Sequence, residues 1–296
     1  MWGRAGMEIR KIRKKEMPQA LNLFFGVAGT ARYPSFPAVV PEWVEQDLHL
    51  HFVAVEGKRL LGVCFCVRLH GNVVAALPPR LMAGERGSLA ADLLAAAAEH
   101  IRSRHPRTLI QTLLPVKAPE SEKQALLDAG MRHLATLVYL ERQSKPADAR
   151  IELVSRLTWL PFERKTRNQF MEVIAATYVD SLDCPGLDGV RRMDDVLETH
   201  KHTGRFTPKC WHLAIFEGQP LGCVLTNPRR RQNVAELVYM GLVPAERRKG
   251  FGRQLALRAI CDTSLLGLGA LALAVDAANQ PAVRLYDSLG FVEVSR

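Results

Sequence analysis

The sequence of 296 residues predicts an α/β fold of the mixed α+β kind, built twice in tandem. Three observations carry this: apolar runs of strand length, helical periodicity between them near the C-terminus, and an internal echo. Residues 237–243 form an apolar run that reads as a buried strand. Leu255, Leu257, Ile260 and Leu265 then recur at roughly helical spacing. Residues 270–275 form a second buried-strand candidate. Asn279 and Pro281 precede a short helix over 282–289, with Gly290 at its C-terminal end, where glycine is favoured. Residues 291–294 restart a strand.

The echo has an offset of about 160 residues. Residues 52–62 and 212–222 each read as strand, tight turn at Glu56-Gly57 or Glu217-Gly218, then strand, a hairpin signature. Residues 72–75 echo 233–236, and 126–131 echo 286–291. Three collinear echoes imply a duplicated domain. The polar stretch 143–150 reads as a linker, so the domains are expected at 7–143 and 151–296.

The turn before the 255–265 helix is Arg247-Arg248-Lys249-Gly250-Phe251-Gly252-Arg253. A helix N-terminus points unpaired backbone N–H groups outward, an anion site before any side chain is counted. Gly250 and Gly252 put no Cβ in the way of a phosphate, and Arg247, Arg248, Lys249 and Arg253 add positive charge. The spacing fits neither the P-loop nor the dinucleotide fingerprint. Arg247-x-x-Gly250-x-Gly252 resembles the coenzyme A pyrophosphate loop of the GNAT (Gcn5-related) N-acetyltransferase superfamily. Asn279, Tyr286 and Gly290-Phe291 resemble the second half of the same signature. The resemblance covers 151–296 and is most specific over 236–291. It implies two tandem GNAT-like domains, each a mixed, mostly antiparallel twisted sheet flanked by helices.

The resemblance also implies a chemistry: transfer of an acetyl group from acetyl-CoA to a primary amine, by direct attack in a ternary complex. Glu236 matches the family's general base, which must deprotonate the amine, and Tyr286 its general acid. A strand bulge is expected to free a backbone N–H for the oxyanion at Met240, Gly241 or Leu242, with Gly241 as the natural bulge residue. Leu242, Val243, the 247–253 turn and Asn279 complete the expected cofactor site. Aligned with the second copy, the first has Met82 for Arg247, Glu85 for Gly250, Ala75 for Glu236, Pro119 for Asn279 and Leu126 for Tyr286. It is expected to have lost coenzyme A. Tandem members with one worn-out half occur in this superfamily. A catalytically silent acyl-CoA-binding regulatory protein is the alternative.

Composition narrows the rest. A hydrophobic share of 48% is ample for packed cores. No apolar run reaches the ~18 residues of a membrane span, and the basic N-terminus lacks the apolar core of a signal peptide. The expectation is a cytoplasmic protein. Cys64, Cys66, Cys184, Cys210, Cys223 and Cys261 have no framework spacing and read as reduced. His49/His51 and His200/His202 are too closely spaced for helix ligands, so no metal is expected. The net charge of +10 concentrates at Arg229-Arg230-Arg231, without the interleaved aromatics of a single-strand binder. Neither nucleic acid nor membrane is expected as a partner. The acceptor is open, a small molecule ranking ahead of a protein. Residues 168–180 and the loop 181–189 are expected to recognise it. The oligomeric state is not legible.

Overall fold

The computed structural model describes residues 6–26, 47–85 and 87–295, in two compact units, Met1–His133 and Leu134–Arg296. The first five residues of the basic N-terminus, and Arg86 in the turn aligned with 247–253, lie outside the described residues.

In the first unit β1 (Met7–Lys11) is followed by α1 (Met17–Gly26), the hairpin β2 (Phe52–Glu56) and β3 (Arg59–Cys64), and β4 (Cys66–Leu69). Then come β5 (Val73–Ala76), β6 (Arg80–Leu81), α2 (Ser88–Arg104), β7 (Leu109–Gln111) and α3 (Glu120–Asp128). The strands form two sheets, β1-β2-β3-β6 and β4-β5-β7. Cys64 and Cys66 face the cluster under α2, while Phe65 between them faces the cluster under α1. That is the alternation of a strand.

The second unit holds one seven-stranded sheet. Its elements are β8 (Leu137–Gln143), β9 (Leu157–Pro161), α4 (Arg167–Tyr178), α5 (Met193–His202), β10 (Trp211–Phe216) and β11 (Gln219–Arg229). They continue with β12 (Val234–Leu242), α6 (Phe251–Leu265), β13 (Ala270–Asp276), α7 (Gln280–Ser288) and β14 (Val292–Ser295). The order is β14-β8-β13-β12-β11-β10-β9, antiparallel throughout except for β12 and β13. One face packs Leu237, Leu255, Ile260, Leu271, Tyr286 and Phe291 beneath α6 and α7. The other packs Phe170, Ile174, Leu197, Trp211, Leu213 and Leu225 beneath α4 and α5.

The duplication is visible in strand register. Val73–Ala75 pair in parallel with Leu109–Gln111 as Val234–Glu236 pair with Ala270–Ala272. Both hairpins carry an irregularity at the same place, after Ala54 and after Ala214. The first unit has two sheets where the second has one because two long strands are cut. β11 corresponds to β3 plus β4, interrupted at Phe65. β12 corresponds to β5 plus β6, interrupted at Leu77-Pro78-Pro79. Proline has no N–H for a ladder.

The domain boundary differs from the sequence expectation. Leu137–Gln143, assigned to the first domain by sequence, lies between β13 and β14 and pairs with both. The sequence also read 143–150 as a loose linker. Pro146–Arg150 is instead a 3-10 turn with Asp148 buried. Asp148 forms a two-pronged ion pair with Arg142 at 2.7 and 3.0 Å and accepts the Lys145 N–H at 2.8 Å. Arg142 also donates to the Leu289 carbonyl at 2.8 Å. A polar composition hid a segment fixed by ion pairing.

Burial would raise the Asp148 carboxyl, but the Arg142 and Lys145 bonds outweigh it and hold it below its ordinary value. A depressed carboxyl stabilises the fold above its unfolded pKa, and that contribution is lost as pH falls through the folded one. Asp148→Asn is therefore expected to cost about 3 kcal/mol near neutrality, the low end for breaking a buried pair. It should also flatten the acid limb of stability below about pH 4. Urea unfolding of both proteins across pH reads both effects.

Candidate active site

The site begins where two strands part. β12 and β13 pair only over Val234–Glu236 and Ala270–Ala272. Beyond that, β12 continues along β11 as far as Leu242 opposite Gly222, and β13 continues along β8 as far as Asp276 opposite Leu137. Each strand keeps one partner and loses the other, so a gap opens with unpaired backbone edges on both sides. Glu236, opposite Ala272, stands at its apex.

A bulge is present on β12, but not where the sequence placed it. Leu225 pairs with Tyr239 and Thr226 with Leu237, so Val238 is the extra residue. Gly241 answers a different need. A Cβ there would lie 2.7 Å from Thr177 Oγ1 and 2.8 Å from the Tyr239 hydroxyl. Gly241 thus lets the end of α4 close on β12, where Thr177 and Tyr239 share a 2.8 Å hydrogen bond. The Val243 N–H donates to Leu221 O at 2.9 Å, toward β11. Strand alternation then turns the Leu242 and Met240 N–H groups toward the gap. Of the three expected oxyanion donors, Gly241 faces the wrong way, and the Val243 N–H is occupied.

The turn beyond the gap leads into a helix whose N-terminal N–H groups face outward. Pro244–Glu246 form a 3-10 turn, Arg248 is left-handed at φ 61°, and Gly250 at φ 88° is the N-cap of α6. No side chain caps that end; the Phe251 and Gly252 N–H groups have no intrahelical acceptor by helix geometry. Gly252 has only ordinary contacts, Leu285 and Leu242 methyls at 3.5 and 3.8 Å from an added Cβ. The cations divide. Arg248 and Arg253 are exposed, and Lys249 pairs with Glu246 at 3.1 Å. Arg247 does not point at solvent. It donates to the carbonyls of Leu242, Asp180, Thr177 and Val179 at 3.1, 2.8, 3.0 and 2.6 Å.

Glu236 is half-buried and ion-paired with Arg229. Burial raises its carboxyl and Arg229 opposes that, leaving it above its ordinary value. Of the basic run Arg229-Arg230-Arg231, only Arg229 is ion-paired with Glu236; Arg230 and Arg231 occupy an exposed 3-10 turn ended by left-handed Asn233. Tyr286 is buried in α7 with its ring edge-on to Phe291, centroids 5.4 Å apart. Burial, with the Asp183 carboxylate adding, pushes its phenol well above the ordinary value, so it stays a proton donor through neutral pH. Asn279 caps α7, its Oδ1 accepting the Ala282 N–H at 3.3 Å.

Tyr239 was not given a role from sequence, and His200, Tyr178 and Asp183 entered only within a histidine pair and the 168–180 and 181–189 segments. Tyr178 and Tyr239 meet edge-on at 5.4 Å, and His200 stacks on Tyr239 at 5.3 Å. Burial, then Arg191, drives His200 down to about 3, so it is neutral. Asp183, in the loop 181–189, accepts the Asp276 N–H at 3.0 Å, and the Cys184 N–H donates to the Asp276 carboxylate at 3.3 Å. Aromatics inside apolar runs carry no pattern that separates a cleft wall from a core. Among the described residues no cluster of three or more His, Cys, Asp or Glu side chains could hold a metal, and no helix is long and apolar enough to cross a membrane.

Known proteins resemble parts of this chain. A family model described as the Acetyltransferase (GNAT) family matches residues 175–291. The chain is 37% identical over 101 residues to mycothiol acetyltransferase of Paenarthrobacter aurescens (strain TC1), covering 32% of this chain and 31% of that protein. It is 31% identical over 100 residues to N-acetylaspartate synthetase of Danio rerio, covering 34% and 36%. The matches thus span about a third of those relatives' length. Among solved structures, a GCN5-related N-acetyltransferase from Sphaerobacter thermophilus superposes with a TM-score of 0.63 at 16% identity, covering 99% of this chain and 94% of that one. A tandem GNAT protein from the clavulanic acid biosynthesis pathway superposes with a TM-score of 0.51 at 12% identity, covering 97% and 95%. At these identities the structural likeness is one of fold. Residues 175–291 thus match the GNAT acetyltransferase family model, and the fold of the chain resembles that of GNAT structures, a tandem one among them.

Gly241 and Gly250 should fail differently. Gly241→Ala forces a Cβ against Thr177 and Tyr239 and is expected to cost about 1–3 kcal/mol, the range for overpacking. Gly250→Ala meets nothing within 4 Å and suffers only its left-handed φ, about 1 kcal/mol. Denaturant unfolding of the two variants checks the order.

Proposed function

We propose that the second repeat transfers an acetyl group from acetyl-CoA to a primary amine of a small-molecule acceptor, by direct attack in a ternary complex. The observation that supports this best is the gap between β12 and β13, with a carboxylate at its apex and an uncapped, cation-rich helix N-terminus at its mouth. An extended, amide-bearing arm suits unpaired strand edges, which offer main-chain hydrogen bonds. A pyrophosphate suits the Phe251 and Gly252 N–H groups with Arg248, Lys249 and Arg253 around them. Leu242 would contribute its N–H and Asn279 its amide. A small acceptor is favoured by the relatives' names, mycothiol acetyltransferase and N-acetylaspartate synthetase.

The residues have distinct parts in the chemistry. Glu236 takes the proton from the attacking ammonium, directly or through water. The amine nitrogen bonds to the thioester carbon, whose oxygen gains charge and meets the Met240 or Leu242 N–H. The carbon–sulfur bond then breaks, and Tyr286 protonates the departing thiolate. Glu236 has to be ionised to act. Its raised carboxyl therefore places the acid limb of activity above the ordinary glutamate range. Arg229 keeps that limb from rising further.

The cofactor site is proposed for the second repeat alone. Ala75, Pro119 and Leu126 stand where Glu236, Asn279 and Tyr286 stand in the second. The expected alignment of Glu85 with Gly250 is two residues out: Gly87 is the N-cap of α2 as Gly250 is of α6. The stronger difference lies in the strand. Pro79 falls at the position of Met240, so that N–H does not exist. One coenzyme A per chain is expected by calorimetry, and two equivalent sites would overturn this assignment. A cytoplasmic setting is proposed on the six unpaired cysteines.

Thiol release from acetyl-CoA, measured against amines, polyamines, aminoglycosides and amino acids, tests the activity and identifies the acceptor. Glu236→Gln and Tyr286→Phe should each lower turnover by ~10²–10⁴ while coenzyme A affinity changes little. Arg229→Gln should move the acid limb to higher pH. Tight coenzyme A binding without thiol release for any acceptor would support the silent regulatory reading instead.

A further inference from the structure

We propose that Arg247 is a positioning residue for the acceptor side of the site, not a ligand of the pyrophosphate. The inference rests on the acetyltransferase reading above. A guanidinium has five N–H donors, and four are spent on carbonyl oxygens: Leu242 from Nε, Asp180 from Nη1, Thr177 and Val179 from Nη2. Three of these acceptors form the C-terminal end of α4 and the chain just after it. Helix-end carbonyls lack intrahelical donors and carry the negative end of the helix dipole. A fixed cation suits them, and a planar fork with several donors suits them better than a lysine does. A phosphate would have to take the side chain from all four.

The same stretch of chain is fixed a few residues later on the opposite side of the gap. Asp183 accepts the Asp276 N–H at 3.0 Å, and the Cys184 N–H donates to the Asp276 carboxylate at 3.3 Å. Asp276 ends β13, while Arg247 follows β12. Residues 177–184 therefore form a strap tied to both strands where they have separated. The strap carries Tyr178 and Asp183. The Asp183 charge acts on Tyr178 and Tyr239 on one side of the gap and on Tyr286 on the other. Burial holds the Asp183 carboxyl above its ordinary value, against the opposing Asp276 N–H. Whatever amine reaches the thioester passes this strap. Through Arg247, the turn that binds the cofactor also sets the wall that meets the acceptor.

The test uses the full chain with Arg247→Met and Arg247→Lys. Calorimetry reads coenzyme A affinity, and hydrogen exchange reads the Ser181 and Cys184 amides. The β8–β13 ladder serves as the internal control for folding. Both variants should bind coenzyme A within about threefold of the parent. Both should exchange the strap amides about tenfold faster or more, Lys less than Met. With the acceptor found by thiol release, its KM should rise about tenfold in Arg247→Met while the KM for acetyl-CoA stays within threefold. A loss of coenzyme A affinity beyond about threefold in either variant overturns the proposal, as does unchanged strap exchange or an unchanged acceptor KM. If Arg247→Met does not fold, Arg247→Lys decides by the same thresholds. Failure of the parent chain to bind coenzyme A counts against the functional reading, and strap exchange then decides on Arg247 by itself.

Discussion

The second unit depends on one constraint: β12 and β13 must part after three residues of pairing without the sheet coming undone. A strand that leaves its neighbour strands a row of backbone donors and acceptors, and burying them unpaired is costly. The loss is confined to one edge of each strand. β12 remains on β11 through Leu242, and β13 remains on β8 through Asp276. The gap is therefore a stable feature of a seven-stranded sheet. Its open edges can be met by water or by a ligand with amides of its own. The position of β8 is what makes this work. Without it, β13 would have no long-range partner past Ala272, and β14 would have no sheet to join.

The charges around the gap follow from the same arrangement. Glu236 sits at the apex because it is the last residue of β12 to pair with β13. It is half-buried, and Arg229 lies one strand over to offset that burial. Tyr286, on the buried face of α7, is buried deeply enough to remain a phenol. At the mouth, α6 begins at a glycine held left-handed, so its N–H groups face outward with no capping side chain. On the proposed reading, burial would tune one end for proton transfer, and exposure of a helix end would tune the other for an anion. The 247–253 turn reaches both ends because Arg247 is turned inward while Arg248 and Arg253 are exposed.

What was legible in the sequence is what local chemistry determines. The strand–turn–helix unit over 237–265 was readable because an apolar run ends at a glycine-bearing basic turn and Leu255 and Ile260 repeat at helical spacing. The C-terminal helix was readable because Gly290 closes it. The duplication showed because hairpin turns keep their glycines. Long-range pairing was not legible. Leu137–Gln143 has no local mark saying that its partners are β13 and β14, more than a hundred residues on, so the domain boundary was placed after it. The bulge at Val238 is set by register with β11, and no residue type announces it. Gly241 invited the bulge reading, although its requirement comes from Thr177 on a distant helix. Arg247 was visible as a cation, but its acceptors are backbone carbonyls, which every sequence has.

The two repeats show how few residues separate an intact strand edge from a broken one. They share the hairpin irregularity, the short parallel pairing and a helix starting near the same point. In the first, Leu77-Pro78-Pro79 interrupts the strand that corresponds to β12. Two consecutive residues without N–H groups remove donors from both edges of that strand at once. The Leu77 N–H turns to Phe65 O at 2.8 Å instead, and pairing resumes only briefly in β6. The Gly87 cap of α2 is at φ −57°, an ordinary helical value, where Gly250 is left-handed. Strand edge and helix entrance are thus both altered, before any loss of Glu236 or Tyr286 is considered. A single catalytic substitution would leave a binding cleft behind. Changes to the backbone itself remove the cleft's donors, and no substitution at any other position can restore an N–H that proline does not have.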